Sequence, residues 1–515
     1  MIKDKRAESA ESFFHKLVTF GRKEEVDTPT HPEKSALDLD DIQGFILRGY
    51  RMPMVRHFVL TVGAAAKARA LLGRLVSGNE SDAPQITTAE DWHVGFAPGP
   101  GDDPADAPRH KPDYCLNVGI TWPGLVALEV KDRVPALSFK SFGAFIAGAA
   151  ARADLVGDTG ESAPQHWIDA FASGNDHVMV TLHAMSPDAM TAYSDRLSAL
   201  FTEGGAFQEI WRTDGNAWLQ MVDGKPQPCA KVPFGYTDGI SMTTIRGGPE
   251  RYTPDHQEPC EPWLFVLQDE AENYFVPEPR ELGLNGSFAV FKMIKTDVVG
   301  FEEFLQSHKD KIDPELLAAK ICGRWRNGTP LELSPETDSP RIAPEQLNNY
   351  GYVNADGSGD PRGLRCPVGA HMRRVNPRDQ PVTGQGKPGG SNNTHRLIRR
   401  GLPYGPTYDP AQPYDGIERG LLGYFINSSI ENQYEFVLGH WVNDAEFAGA
   451  VRLDPKAKDP MIATQDPKES IFVIPQANGA PPIKLTGFSS FTTTKAAAYC
   501  FLPSITAIKF ISQLG

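Results

Sequence analysis

The sequence predicts an α+β protein made of two similarly organised halves. Three observations carry this reading. Segments of strand composition alternate with segments of helical spacing along most of the chain. The same strand-then-helix plan recurs in the second half. Between the two runs lies a Pro-rich, charged stretch, "TIRGGPERYTPDHQEPCEP" at 244–262, suited to a boundary.

The elements follow in order. Residues 1–37 form a polar, partly helical extension, and order is expected to begin at "LDLDDIQGFILRGY". "VRHFVLTVG" has strand composition, and "AAAKARALLGRLV" after it carries helical spacing of Ala and Leu. "CLNVGITW" reads as a strand before an apolar segment opened by Pro-Gly. "DHVMVTLHAM" alternates as a strand, and "SPDAMTAYSDRLSALF" is a helix with a Ser-Pro start. In the second half "GSFAVFKMIK" is a strand, followed by helices in "DVVGFEEFLQSHKDK" and "DPELLAAKICGRWRNG". "GLLGYFINSS", "YEFVLGHWVN" and "TTTKAAAYCFLPS" are all read as strands. The domains expected are 38–255 and 256–515.

Composition narrows the function. The chain has 515 residues, 40% apolar and 23% charged, which is the globular range. A net charge of -14 argues against a nucleic-acid coat and against docking on an anionic membrane. Small ligands and protein partners, a homo-oligomer among them, stay open. The longest apolar run is interrupted by Arg152, and the charged N-terminus lacks an export signal. Six scattered cysteines form no CxxC, CxxCH or zinc pattern. Buried or free thiols in a reducing cytoplasm are the expectation, and c-type haem attachment is excluded.

Two long loops interrupt the second half, at 335–363 and 379–395. The latter contains GQGKPG, which matches GxGxxG formally but follows no strand and opens no helix, so no nucleotide site is expected. Between and after these loops lie "CPVGAHMRRVNPRD" and "HRLIRRGLPYG". His371 follows the small residues Gly369 and Ala370, with Arg373, Arg374 and Arg378 behind it. Arg399 and Arg400 interrupt an apolar run before Gly401. In "KVPFGYTDGISM", Asp238 stands in an aromatic segment and is followed by Gly239.

Taken singly, each signal is compatible with ordinary structure: a satisfied loop histidine, a solvated arginine pair, an Asp-Gly turn. Together they offer one histidine as an iron ligand, one Asp and one Arg as polar groups on the opposite side, and basic residues for propionates. That set would make a haem peroxidase site.

At this point the sequence resembles the dye-decolorizing (DyP-type) haem peroxidases. "FGYTDGIS" resembles the family's GxxDG signature. "CPVGAHMRRVNPRD" resembles its proximal-histidine segment, and "HRLIRRGLPYG" its distal-arginine segment. "DIQGFILRGY", "CGRWRNGTPL", "SSIENQYEFV" and "TTTKAAAYCFLPS" match in the same order, so the likeness spans 38–511.

The resemblance implies two ferredoxin-like α+β domains with haem b in the C-terminal half. It implies His371 as the proximal iron ligand, Asp238 and Arg399 as distal catalytic groups, and Arg374 as a propionate partner. Ile240, Ser241 and Phe425 would line the cofactor, and Asp459 would hydrogen-bond the ligand's other nitrogen. Asp238 would move a proton during peroxide cleavage, and Arg399 would hold the developing charge. Small organic donors, phenolic or dye-like, would be oxidised with hydrogen peroxide, some through surface relays for which Tyr404, Tyr408 and Trp441 are candidates. Gly401 stands where some relatives carry Asn, and Gly423 where many carry a large apolar residue. The distal pocket is then either wider here or filled by Tyr424 and Phe425. The alternatives are a protein that removes iron from haem and a non-catalytic haem-binding or encapsulated cargo protein. The presence of both Asp238 and Arg399 favours catalysis, and no targeting tail is read after "KFISQLG".

Overall fold

The computed structural model describes residues 37–90, 112–139, 142–222, 224–249, 259–268, 276–339, 341–343, 346–354, 356–382, 392–448, 454 and 456–515. The expected N-terminal extension and the GQGKPG stretch lie outside the described residues.

In the first half, β1 (Met54–Val62) is followed by α1 (Ala65–Arg74) and β2 (Tyr114–Ile120), then β3 (Val178–Ala184), α2 (Pro187–Thr202) and β4 (Phe207–Asn216). In the second, β5 (Ser287–Thr296) leads into α3 (Val298–Ser307), α4 (Pro314–Cys322) and the one-turn α5 (His371–Val375). Then come β6 (Ile398–Tyr404), β7 (Gly420–Asn427), β8 (Thr492–Leu502) and α6 (Ile505–Ser512).

All eight strands join one sheet in the order β4-β1-β3-β2-β8-β5-β7-β6. Numbered within its own half, each set of four reads 4-1-3-2, the order expected of a ferredoxin-like unit. The printed neighbours are antiparallel. The two halves meet where β8 lies against β2, Phe501 opposite Ile120. The predicted two-fold plan is therefore present, with both copies fused edge to edge.

Local chemistry explains the elements. β2 is buried along its whole length and β3 nearly so, as their apolar runs require. α2 starts where the Ser186 hydroxyl accepts from Ala189 N–H, with Pro187 at its first position. Asp297 and Asp313 cap α3 and α4 in the same way, and α4 stops at Gly323, whose φ is 97°. Ser504 caps α6, whose Ile505, Ile508 and Ile511 are buried. α6 packs on α1 of the first half. Burying side chains such as Phe288, Phe291 and Phe501, each at 0% exposure, contributes about 1.5–3 kcal/mol apiece.

One expected element is corrected. "YEFVLGHWVN" is not a strand but part of two consecutive π-helical turns, Ile430–Glu435 and Val437–Val442. Its aromatic and β-branched residues mimic strand composition, but Ser429 opens a helix by accepting from Asn432 N–H. All six cysteines are free and buried, as expected. Among the described residues, no helix is long and apolar enough to cross a membrane.

Candidate active site

Asp238 sits on a tightly folded loop. Its N–H donates to Ala230 O at 2.8 Å, and Lys231 and Thr237 bridge across the turn. Tyr236 anchors the loop by donating its hydroxyl to Ala318 O of α4 at 2.8 Å. Gly239 has φ 77°, a left-handed conformation that glycine adopts without cost. That turn lets the Gly239 N–H donate back to Asp238 Oδ1 at 2.7 Å. The aromatics of this segment thus serve the core, and the carboxylate is the part left over.

Arg399 comes from β6. Its guanidinium lies 3.3 Å from Asp238 Oδ1. The two side chains are 42% and 45% exposed. Desolvation is nevertheless the largest single influence on the Asp238 carboxyl. Burial pushes the Asp238 carboxyl up. The charges of Arg399 and His371 and the Gly239 N–H outweigh it and hold the carboxyl below the usual carboxylate range. His371 is thus near enough to act electrostatically on Asp238.

His371 opens α5. Its Nδ1 lies 2.9 Å from Asp459 Oδ2. Asp459 is fully buried, and its other oxygen accepts from Met461 N–H at 2.8 Å and Ile462 N–H at 3.0 Å. Burial raises this carboxyl, but the His371 charge and hydrogen bond, the Ile462 N–H and Arg374 hold it below its ordinary value. An ionised Asp459 fixes the His371 proton on Nδ1 and turns Nε2 out as a lone-pair donor. Among the described residues, Nε2 has no hydrogen-bond partner.

Other residues named from the sequence divide. Phe425 lies directly opposite Arg399 in the β6–β7 register, so the two share a face of the sheet. Its ring packs 5.4 Å from Tyr434. Ile240 and Ser241 are half-buried beyond Asp238, with the Ile240 carbonyl held by Asn348 at 2.6 Å. Arg374 departs from the propionate role the resemblance implies. It is fully buried and donates to the carbonyls of Gly369, Trp441, Asp444 and Ala457. Its guanidinium is committed to tying α5 to the segment before Asp459. The sequence could not reveal this, because the acceptors are backbone atoms.

The two glycines also act differently from expectation. A Cβ on Gly423 would come within 2.1 Å of Arg400 O and 2.4 Å of Gly401 Cα, and its φ is 149°. The pair permits close approach of β6 and β7. Tyr424 points to the opposite face, where its hydroxyl pairs with Thr181 at 3.0 Å, so only Phe425 is available on the Arg399 side. Of the relay candidates, Tyr404 is buried with its hydroxyl on Glu418 at 3.0 Å. Tyr408 is half-buried beside Tyr414. Trp441 is buried among His395, Phe436 and Phe447.

No family model matches the chain. Among curated proteins it is similar to a dye-decolorizing peroxidase of Mycena epipterygia, 29% identical over 448 residues, which are 83% of this chain and 76% of that protein. It is also similar to Peroxidase 2 of Mycetinis scorodonius, 25% identical over 510 residues, covering 94% and 90%. Among solved structures, a DyP crystal structure superposes with a TM-score of 0.75 at 25% identity, covering 93% of this chain and 99% of that one. A dye-decolorizing peroxidase in complex with 2,6-dimethoxyphenol gives 0.73 at 25%, covering 92% and 100%. These relatives align over most of the chain and share its α+β fold, so the chain is similar throughout to the dye-decolorizing peroxidases and is a peroxidase.

Proposed function

We propose that this peroxidase holds haem b between His371 and the Asp238–Arg399 pair and reduces hydrogen peroxide at the expense of phenolic or dye-like donors. The observation that carries the reading is the presence of two unlike polar pairs, His371 with Asp459 and Asp238 with Arg399. On one side is an imidazole whose Nδ1 is engaged by a buried carboxylate, leaving Nε2 available. On the other is a carboxylate–guanidinium pair 3.3 Å apart, with both side chains nearly half exposed. This donor set fits haem: His371 would hold the iron, and Asp238 with Arg399 would serve the peroxide. Phe425, Ile240 and Ser241 would contact the macrocycle. When bound, the haem supplies the electrons that break the peroxide O–O bond.

The protein residues have separate tasks. Asp238, ionised, accepts a proton from incoming hydrogen peroxide and returns it to the departing oxygen. Arg399 stabilises the negative charge that grows on that oxygen and keeps Asp238 in its charged form. Asp459 and Arg374 act behind His371: one fixes the imidazole tautomer, the other fixes the helix that carries it. A bare haem carrier needs no acid–base pair facing the ligand, so Asp238 with Arg399 favours catalysis over carriage or iron removal. The division into domains at about residue 255 is part of this proposal, with the site residues after it apart from Asp238, Ile240 and Ser241.

The test is reconstitution with haem, followed by stopped-flow mixing with hydrogen peroxide. A His371→Ala variant is expected to lose the Soret band of the ligated haem. Retention of that band and of the iron–imidazole vibration would place the ligand elsewhere.

A further inference from the structure

Below α5 lies a buried charge cluster that the proposed chemistry does not use. Glu332 is 5% exposed, and its Oε1 has no hydrogen-bond partner. Its nearest cations are Arg365 Nε at 3.4 Å and Arg373 Nη1 at 3.7 Å. Both exceed the roughly 2.7–2.9 Å of a charge-assisted hydrogen bond. Asp360, also 5% exposed, is the opposite case. Its carboxylate accepts from the N–H groups of Leu364, Arg365 and Cys366 at 2.8, 2.8 and 3.0 Å.

The two carboxylates compete for one donor. Arg373 is fully buried two residues beyond His371 on α5. Its Nε donates to Gln380, Nη1 to Cys366 O at 2.6 Å and Nη2 to Asp360 O at 2.7 Å. The remaining reach of Nη1 lies between Asp360 Oδ2 at 3.5 Å and Glu332 Oε1 at 3.7 Å. A guanidinium N–H can satisfy one of these oxygens well, not both.

We propose that Glu332 is a positioning residue for α5: by gaining or losing a proton it decides whether Arg373 leans on Glu332 or on Asp360, and so how firmly α5 presents His371. Protonated, Glu332 releases Nη1 to Asp360. Ionised, it pulls Nη1 away while carrying an unsolvated charge. The link to catalysis rests on His371 being the iron ligand; the contest over Arg373 does not.

The groups facing Glu332 make this contest responsive to pH near neutrality. Burial pushes its carboxyl up to about 7, and Asp360 adds to the rise. Arg373 and Arg365 oppose it, and Asp379 reinforces it. Lys320 and the Cys366 thiol also feel Glu332. The sign follows. A carboxyl raised from 4.5 to about 7 binds more protons folded than unfolded in that window, so its contribution to stability falls as pH rises from 4.5 to 7 and is level above.

Hydrogen-exchange protection of the 371–375 amides in the haem-free full chain tests this across that range. Wild type is expected to lose protection roughly tenfold as pH rises from about 4.5 to about 7, and to level off above. Glu332→Gln, a neutral isostere, is expected to match wild type at acid pH and to stay more protected above neutrality. A purely structural glutamate would make the variant less protected at every pH, and that result would overturn the proposal. If the variant does not fold, infrared titration of the wild type decides: a protonated carboxylic acid band vanishing near pH 7 supports it, and no such band refutes it. Because the measurement needs no haem, its failure is separate from failure of the ligand assignment.

Discussion

Replacing Asp459 by Asn should weaken haem ligation about a hundredfold while leaving the fold nearly intact, and the geometry says why. Asp459 Oδ1 takes the N–H groups of Met461 and Ile462, and Oδ2 takes His371 Nδ1. In the amide, the oxygen must stay at the Oδ1 position. Turning it would leave two backbone donors buried and unpaired, at about 1–3 kcal/mol each. The amide NH₂ is therefore forced to face His371 Nδ1 and donate to it. Nδ1 becomes an acceptor, and the imidazole proton moves to Nε2, the atom the iron needs. Loss of a partner behind a metal-bound histidine typically costs about tenfold to a hundredfold in affinity. A forced wrong tautomer belongs at the upper end. Asp459→Ala is the contrast, because it strands all three donors and should lower the melting temperature as well. Haem titration followed at the Soret band, with a thermal melt of each apoprotein, separates the two. If Asp459→Asn binds haem within threefold of wild type and keeps the iron–imidazole vibration, the tautomer argument is wrong.

Arg399→Leu should slow the peroxide reaction by about a hundredfold to a thousandfold, since it removes the donor at the developing charge. Without that cation the burial effect on Asp238 is less opposed, its carboxyl rises, and the acid limb of the pH–rate profile should move to higher pH. An unmoved limb in stopped-flow would mean that Arg399 does not set the Asp238 charge. Asp238→Asn should lose about a hundredfold to ten-thousandfold in the same assay, together with its acid limb. Gly423→Ala puts a Cβ 2.1 Å from Arg400 O at φ 149°, so it should cost about 3 kcal/mol or more and disturb Arg399 as the strands part. A variant that melts with wild type would refute the close-approach reading.

The sequence made the site more legible than the packing around it. Asp238, Arg399, His371 and Asp459 were all named from motif positions, and the fold sets Arg399 3.3 Å from Asp238 and Asp459 2.9 Å from His371. Their chemistry leaves a trace in residue type: a carboxylate among aromatics, a histidine after small residues. The carbonyl partners of Arg374 were not legible, because guanidinium–carbonyl bonds leave no complementary residue to find. Glu332 and Asp360 left no signal at all, being carboxylates in a loop whose burial only the folded chain reveals. The strand reading of 434–443 failed because propensity there is overridden by packing around Trp441. The repeat was visible as alternation, but the merging of both halves into one sheet depends on the pairing of β2 with β8, far apart in sequence.

That pairing bears on how the protein is made. β8 leaves the ribosome after the other seven strands of the sheet, yet it takes a central place, between β2 and β5. Until it emerges, β2 and β5 each present an open edge, and the second half lacks its fourth strand. The first half has all four of its strands by residue 216 and can form during synthesis, whereas the half that contributes His371 and Arg399 must wait. A nascent chain stalled before 492 would therefore expose two unpaired β edges, a strong invitation to chaperones or to aggregation.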